Sequence, residues 1–289
     1  MITQSRPYVG RWRTRALETA GDGPVLLLLH GFGDHAGTWL PLLEALQHHG
    51  RRAVALDLPN FGDADPVGPG PMLESLHEFV AAAVTHWTED GVPPVVVGNS
   101  LGGVMALRMG ADPEVAVSGV VPVSPAGFGH VWFINALERY SWVNPLLFTP
   151  VVPMRLFRYL TANGFAWAAA GSSGVVKGVS RAMAAHFRTA ADVKRIFGVA
   201  PELLAEIRAW SSDLAPVTAP CLIIWGRGDR LTLVAGAPVL AAQVPDAELV
   251  ILEDCGHCSQ VGRPDLVADH LLQFVDGLSS RTLPVLNRD

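Results

Sequence analysis

The sequence predicts an α/β protein in which helices cover both faces of a mostly parallel sheet, with a helical segment inserted between two late strands. Three observations point there. Six short runs are apolar at nearly every position; strands wet on one face would alternate, so these runs suit strands covered on both sides. Between the first of them lie longer segments with apolar residues at three-to-four spacing, the pattern of helices that lay one stripe on a core. The chain has 289 residues, 49% of them hydrophobic and 17% charged, enough to bury one large core.

In chain order, the N-terminal stretch carries Arg11, Arg13 and Arg15 at spacing two, which reads as one solvated face of a strand. The first strong strand is "VLLLLH" (25–30), followed by the helical pattern "WLPLLEALQHHG" ending at Gly50. Strand "RAVALDL" (52–58) precedes helix "MLESLHEFVAAAVTHW", and strand "PVVVGN" (94–99) runs into helix "SLGGVMALRMGAD". Strands "VSGVVPVS" (117–124), "CLIIWG" (221–226) and "ELVILE" (248–253) follow, then helix "RPDLVADHLLQFVDGL" and a tail from 279 expected to be loosely ordered. Such alternation implies parallel strands joined by right-handed crossovers.

The alternation breaks from about 128 to 212. Trp132, Phe133, Trp142, Phe148, Phe157, Phe165 and Trp167 fall there among prolines and glycines, followed by the helical patterns "RAMAAHFRTA" and "PELLAEIRAW". The segment is too long for an ordinary loop and reads as a helical cap, 128–212, inserted into a core made of 1–127 and 213–289.

Composition narrows the function. A net charge of −6 without a Lys/Arg-rich run leaves no basic field for nucleic acid. No uninterrupted apolar stretch approaches the roughly 18 residues of a membrane span, and no apolar run follows the first charges as in a secretory signal. A soluble protein in the cytoplasm is the default expectation. Three cysteines, unevenly placed, make no disulfide framework.

Strand "PVVVGN" ends directly at Ser100, and a helix starts directly after it, so Gly98-Asn99-Ser100-Leu101-Gly102 is G-x-S-x-G in a strand–turn–helix setting. A serine held on so tight a turn needs neighbours without bulk two positions to either side, which glycine supplies. The helix start adds amide N–H groups and positive dipole beside the hydroxyl. The bland alternative is a serine that only caps the helix. Upstream, His30-Gly31-Phe32-Gly33 follows the first strong strand. Two glycines let that backbone turn an N–H toward a reacting carbonyl oxygen, where two donors about 3 Å away are needed; the N–H groups of Phe32 and Leu101 are the candidates. His30 reads as a brace for the loop.

With these residues in view, "HGFGD", "DLPNFGDAD", "GNSLGG", "IIWGRGD" and "DCGH" resemble, in order and spacing, the α/β-hydrolase fold superfamily, over nearly the whole chain apart from 128–212. The resemblance implies an eight-stranded, mostly parallel sheet with the nucleophile after the fifth strand and a lid after the sixth. It also implies a catalytic triad in the order nucleophile, acid, base. Asp229 follows strand "CLIIWG" and His257 follows strand "ELVILE", at the edge where open parallel sheets place their ligands. Serine needs a base, and the base needs a carboxylate to hold its tautomer; Ser100, His257 and Asp229 meet that demand. Some relatives carry the acid after the sixth strand, but "VSPAGF" offers only Ser124 there. Asp213, Glu253 and Asp254 are weaker rivals for the acid. Asp57 matches a structural turn, and Asn60 stands where glycine is more usual, asparagine tolerating left-handed backbone.

Cys255-Gly256-His257-Cys258 also spells the C-x-x-C of a dithiol oxidoreductase. That fold would need much of its domain after the motif, and only 31 residues follow Cys258. The thiols are therefore expected to pack around a base. The machinery suits hydrolysis of a carboxylic ester of a small to medium apolar or aromatic substrate, with no cofactor and no metal. The expected partner is that small molecule, held in part by Trp132, Phe133, Trp142 and Phe148 of the cap. Thioester and lactone hydrolysis stay open, as do carbon–carbon bond hydrolysis of the meta-cleavage-product type and a ligand-binding role on the same scaffold. Epoxide hydrolases and haloalkane dehalogenases of this fold need aspartate where Ser100 stands.

Overall fold

In a computed structural model, which describes residues 1–128, 198–244 and 246–281 together with Tyr159, Asn163 and Trp167, all six apolar runs are strands. The strands in chain order are β1 (Thr3–Ser5), β2 (Tyr8–Val9), β3 (Trp12–Arg13), β4 (Ala16–Thr19), β5 (Asp22–Leu29), β6 (Arg51–Leu56), β7 (Val95–Asn99), β8 (Gly119–Val123), β9 (Leu222–Gly226) and β10 (Glu248–Leu252). The helices described are α1 (Leu40–His48), α2 (Met72–His86), α3 (Leu101–Ala111), α4 (Ala200–Ser212), α5 (Gly236–Gln243), α6 (Ser259–Gly262) and α7 (Pro264–Arg281). Eight strands form one sheet in the order β1-β4-β6-β5-β7-β8-β9-β10, and β2 and β3 form a separate hairpin. From β6 to β10 across the sheet every pairing is parallel; only β4 pairs antiparallel with its neighbours.

The uniform apolarity of the central strands has a direct cause. Leu27, Leu29, Val54, Leu56, Val96, Ile223 and Trp225 pack into one core with side chains from α2, α3 and α5. The alternate residues Leu26, Leu28, Ala53, Ala55, Val95, Val97, Leu222 and Ile224 pack into a second core with α1 and α7. Each strand is thus a shared floor between two cores, and every side chain is apolar because both faces are dry.

The strand order reverses around β5. The chain leaves β5 for β6 on one side and returns to β7 on the other. Loops leaving β5 and β7 therefore start side by side at the carboxyl ends of the strands, the rim where open parallel sheets place their ligands.

The N-terminal arginines differ from the one-face expectation. Arg13 lies on the β2–β3 hairpin, while Arg15 is only 18% exposed and grips the fully buried Asp57 with Nε and a terminal nitrogen, at 3.0 and 3.1 Å. A spacing of two carried no common face because the hairpin turns the chain within it. Helix α7 continues to Arg281, three residues into the segment assigned to the tail, and 282–289 lie outside the described residues. Helix α4 closes the 128–212 segment by burying Leu203 and Ile207 in the same core as α2 and α3. Its Glu206 accepts from the N–H groups of Met72 and Leu73, free donors at the start of α2. No helix among the described residues is long and apolar enough to cross a membrane.

Candidate active site

Ser100 stands between β7 and α3 at φ 55°, ψ −111°, a left-handed backbone that β-carbon-bearing residues seldom adopt. The sequence permits this turn only because of its glycines. A Cβ on Gly98 would lie 2.0 Å from the carbonyl oxygen of Gly102, and one on Gly102 would lie 2.1 Å from that of Leu29. Ser100 occupies the cap position of α3, yet its side chain makes no capping hydrogen bond. The strain thus presents a partly buried hydroxyl that the helix does not use.

The loop after β5 closes against this turn. A Cβ on Gly31 would lie 3.2 Å from the Ser100 Cβ, so the His30–Gly33 backbone runs directly over the serine. Gly33 takes φ 69° to let it do so. Phe32 is anchored edge-on to Phe61, with ring centroids 5.4 Å apart. Leu101, the other candidate donor, is the first residue of α3 and is buried.

His30 is fully buried and braces this loop, as its sequence setting suggests. The N–H of Leu58 donates to its Nε2 at 2.9 Å, so Nδ1 carries the ring proton and faces the Gly31 carbonyl at 2.7 Å. Burial pushes its pKa down to about 4, which keeps the ring neutral in this role. Asp57 anchors the loop from the other side: besides Arg15, it accepts from the N–H of Ala36 at 2.6 Å and of Asp63 at 2.7 Å. Asn60 adopts φ 76°, the left-handed conformation foreseen at that position.

His257 and Asp229 meet on the same rim. His257 Nδ1 lies 2.9 Å from Asp229 Oδ2, with the residues 3% and 4% exposed. Asp229 is reached by four donors in total. Its Oδ1 accepts from the N–H groups of Leu231 and Thr232, and its Oδ2 faces the Thr232 hydroxyl at 2.8 Å as well as the imidazole. The loops after β9 and β10 are stitched together by the N–H of Gly228 donating to Cys255 O at 2.7 Å. Asn99, beside Ser100, donates through Nδ2 to the His257 carbonyl at 2.8 Å and to Val123 O at 3.2 Å. One side chain of the serine turn therefore fixes where the histidine loop sits.

The rival carboxylates are elsewhere. Glu253 is exposed and pairs with Arg227, while Asp254 and Asp213 are exposed. Cys221, Cys255 and Cys258 are free and buried. Burial pushes the Cys221 thiol up to about 12 and raises those of Cys255 and Cys258, so none is poised as a thiolate. Trp132, Phe133, Trp142 and Phe148 lie outside the described residues. Trp167 of the same segment meets the loop after β9: Arg230 stacks on its indole at 4.7 Å and donates to its carbonyl at 3.2 Å. Among the described residues no cluster of His, Cys, Asp and Glu could hold a metal ion.

Sequence reasoning passes over three residues at this site. Asn99 is the variable position of G-x-S-x-G; Thr232 lies beyond the Arg-Gly-Asp after β9; Asp34 ends "HGFGD". Asp34 is 5% exposed, within electrostatic reach of His257, and burial pushes its carboxyl up to about 7. The available signal is placement, since each lies within three residues of a strand-end motif.

A family model described as the alpha/beta hydrolase family matches residues 26–270. A pimeloyl-acyl-carrier-protein methyl ester esterase of Xanthomonas campestris pv. campestris is 29% identical over 271 residues, covering 91% of this chain and 99% of that protein. Monoacylglycerol lipase ABHD6 of Homo sapiens is 24% identical over 268 residues, covering 88% of this chain and 76% of that protein. Among solved structures, an alpha/beta hydrolase fold protein from Burkholderia ambifaria aligns with a TM-score of 0.74 at 19% identity, over 94% of this chain and 100% of that chain, a likeness of fold.

Proposed function

The chain belongs to the alpha/beta hydrolase family, and from that membership we propose that it hydrolyses carboxylic esters of small to medium apolar or aromatic groups through an acyl-enzyme on Ser100. The observation that carries this reading is the buried Asp229–His257 contact at 2.9 Å, tied to the serine turn by the Asn99 bond to the His257 carbonyl. The esterase and lipase names of the relatives above support the ester as the bond cleaved.

In the proposed reaction His257 Nε2 takes the Ser100 proton as Oγ attacks the acyl carbonyl, and Asp229 holds the opposite nitrogen as donor. The N–H groups of Phe32 and Leu101 receive the oxyanion; losing one such donor costs on the order of a hundredfold or more in kcat. The alcohol leaves with the proton from His257. Water, activated by the same imidazole, then releases the acid. The aromatic side chains of the inserted segment, Trp132, Phe133, Trp142 and Phe148, would form the apolar wall of the pocket, where each buried methylene contributes about 0.8 kcal/mol.

Nitrophenyl esters of rising acyl length test this. The expected kcat/KM rises from acetyl to medium-chain or aryl acyl groups, and Ser100→Ala loses at least about a thousandfold in a folded protein. A preference for acetyl contradicts the apolar pocket, and near-normal turnover by Ser100→Ala contradicts the nucleophile. Strong turnover of a vinylogous diketone with negligible ester hydrolysis would move the function to carbon–carbon bond cleavage.

A further inference from the structure

Thr232 is 3% exposed, and its hydroxyl faces three groups at once: Asp229 Oδ2 at 2.8 Å, His257 Nδ1 at 3.1 Å and Ser124 O at 3.2 Å. Its main chain is locked too. Its N–H donates to Asp229 Oδ1 at 2.9 Å, and its carbonyl accepts from Nε1 of the fully buried Trp225 at 2.8 Å. The main chain that carries the hydroxyl is therefore held in place by β9 and Asp229.

Counting protons shows what that position does. The hydroxyl has one proton, and a carboxylate oxygen at the shortest distance is the best of its acceptors. Once that proton goes to Asp229 Oδ2, the oxygen lone pairs face Nδ1–H of His257. The imidazole proton is then shared between a carboxylate oxygen and a hydroxyl oxygen, and the carboxylate charge is divided between a hydroxyl and an imidazole.

Resting on the assignment of His257 as base and Asp229 as acid, we propose that Thr232 is a positioning residue. Its hydroxyl fixes the ring orientation of His257 and moderates the pull of Asp229 on the imidazole, and so sets the pH at which the base loses its proton. The donation to the carboxylate is shorter and charge-assisted, whereas the contact to Nδ1 is the longer leg of a shared proton. Removing the hydroxyl therefore leaves Oδ2 more charge for the imidazolium and raises the pKa of His257. Among the described residues, Asp34, from the loop after β5, is within electrostatic reach of His257, and Cys258, next to it in the chain, is kept protonated by burial. Asp34, whose carboxyl burial pushes up to about 7, is neutralised as Asn in the test.

The test is an NMR titration of His257 in histidine-labelled protein, assigned by the signal lost in His257→Gln, in the Asp34→Asn background. Thr232→Val is expected to raise the His257 pKa by about half a unit or more, and Thr232→Ser to restore it. In ester kinetics the same Val variant should move the acid limb of kcat/KM upward and lower kcat roughly three- to tenfold, with KM changed less. An unmoved or lowered pKa overturns the proposal, as does an equal effect of Ser and Val, which marks a purely structural side chain. The titration needs no substrate. Failure of the esterase reading appears separately, as activity that survives Ser100→Ala, while the titration still decides the role of Thr232.

Discussion

Two aspartates sit almost wholly buried near His257, and their neighbours give them different characters. Asp229 is met by four donors, whereas Asp34 accepts from the N–H of His35 at 2.9 Å and from the Thr38 hydroxyl, and burial pushes its carboxyl up to about 7. Between the unfolded value near 3.8 and about 7 the folded protein keeps a proton on Asp34 that the unfolded chain has lost. Stability from this group is therefore full at low pH and falls as pH rises through that window, by up to about 4 kcal/mol at roughly 1.4 kcal/mol per unit. Asparagine imitates the neutral acid. Asp34→Asn is expected to melt with the wild type near pH 3.5 and roughly 5 °C or more above it at pH 8. A difference that does not change with pH contradicts the assignment. The depressed His30 gives the opposite slope, its stability being lost as pH falls from about 6.5 through 4, but it does so in both proteins and drops out of the comparison. None of this is visible in "HGFGD" as letters, because the groups within electrostatic reach of this carboxyl include His257 and Cys258, which come from far along the chain. The positions of Ser100, Asp229 and His257 are legible for the opposite reason: each lies just past a long apolar strand, and local pattern alone puts it on the sheet edge.

At the scale of elements, the turn between β7 and α3 and the loop after β5 are built by exclusion of side chains. Gly98→Ala would drive a methyl to 2.0 Å from a main-chain oxygen, which no side-chain movement can relieve. The expected outcome is loss of several kcal/mol of stability or failure to fold, read by denaturant titration; a stable, fully active variant contradicts the close packing of the turn. The Arg15–Asp57 contact binds β4, the loop after β6 and the Ala36 amide into one unit. Asp57→Ala should cost about 3–5 kcal/mol, since it strands a buried guanidinium and two N–H groups, and a loss below about 1 kcal/mol would show that water satisfies them. Strands β5 to β9 could be read from sequence because both faces of their apolar runs are dry, and β10, a partly exposed edge strand, because its run is apolar throughout its middle. The short β1, β2 and β3 could not: two or three residues carry no period, and the hairpin turns within the arginine repeat. Helix α5 was equally silent, since "GAPVLAAQ" is apolar all round and holds a proline.

Over the whole molecule, strand order does most of the work of assembling the site. The reversal at β5 sets the loops after β5 and β7 side by side, and the loops after β5, β7, β9 and β10 all leave the same carboxyl rim of the sheet, so residues separated by more than a hundred positions meet without any long-range code in the sequence. Among the described residues of 128–212, Glu206 accepts from the start of α2, Leu203 and Ile207 pack beside α2 and α3, and Trp167 meets Arg230 of the loop after β9. The central claim is that Ser100 is activated by His257. The most direct measurement is the rate and position of fluorophosphonate labelling by intact-mass and peptide mass spectrometry. The account predicts a single adduct on Ser100, formed at neutral pH, with the rate falling at least about a hundredfold in His257→Ala. An adduct on another residue, or an undiminished rate without His257, would contradict it.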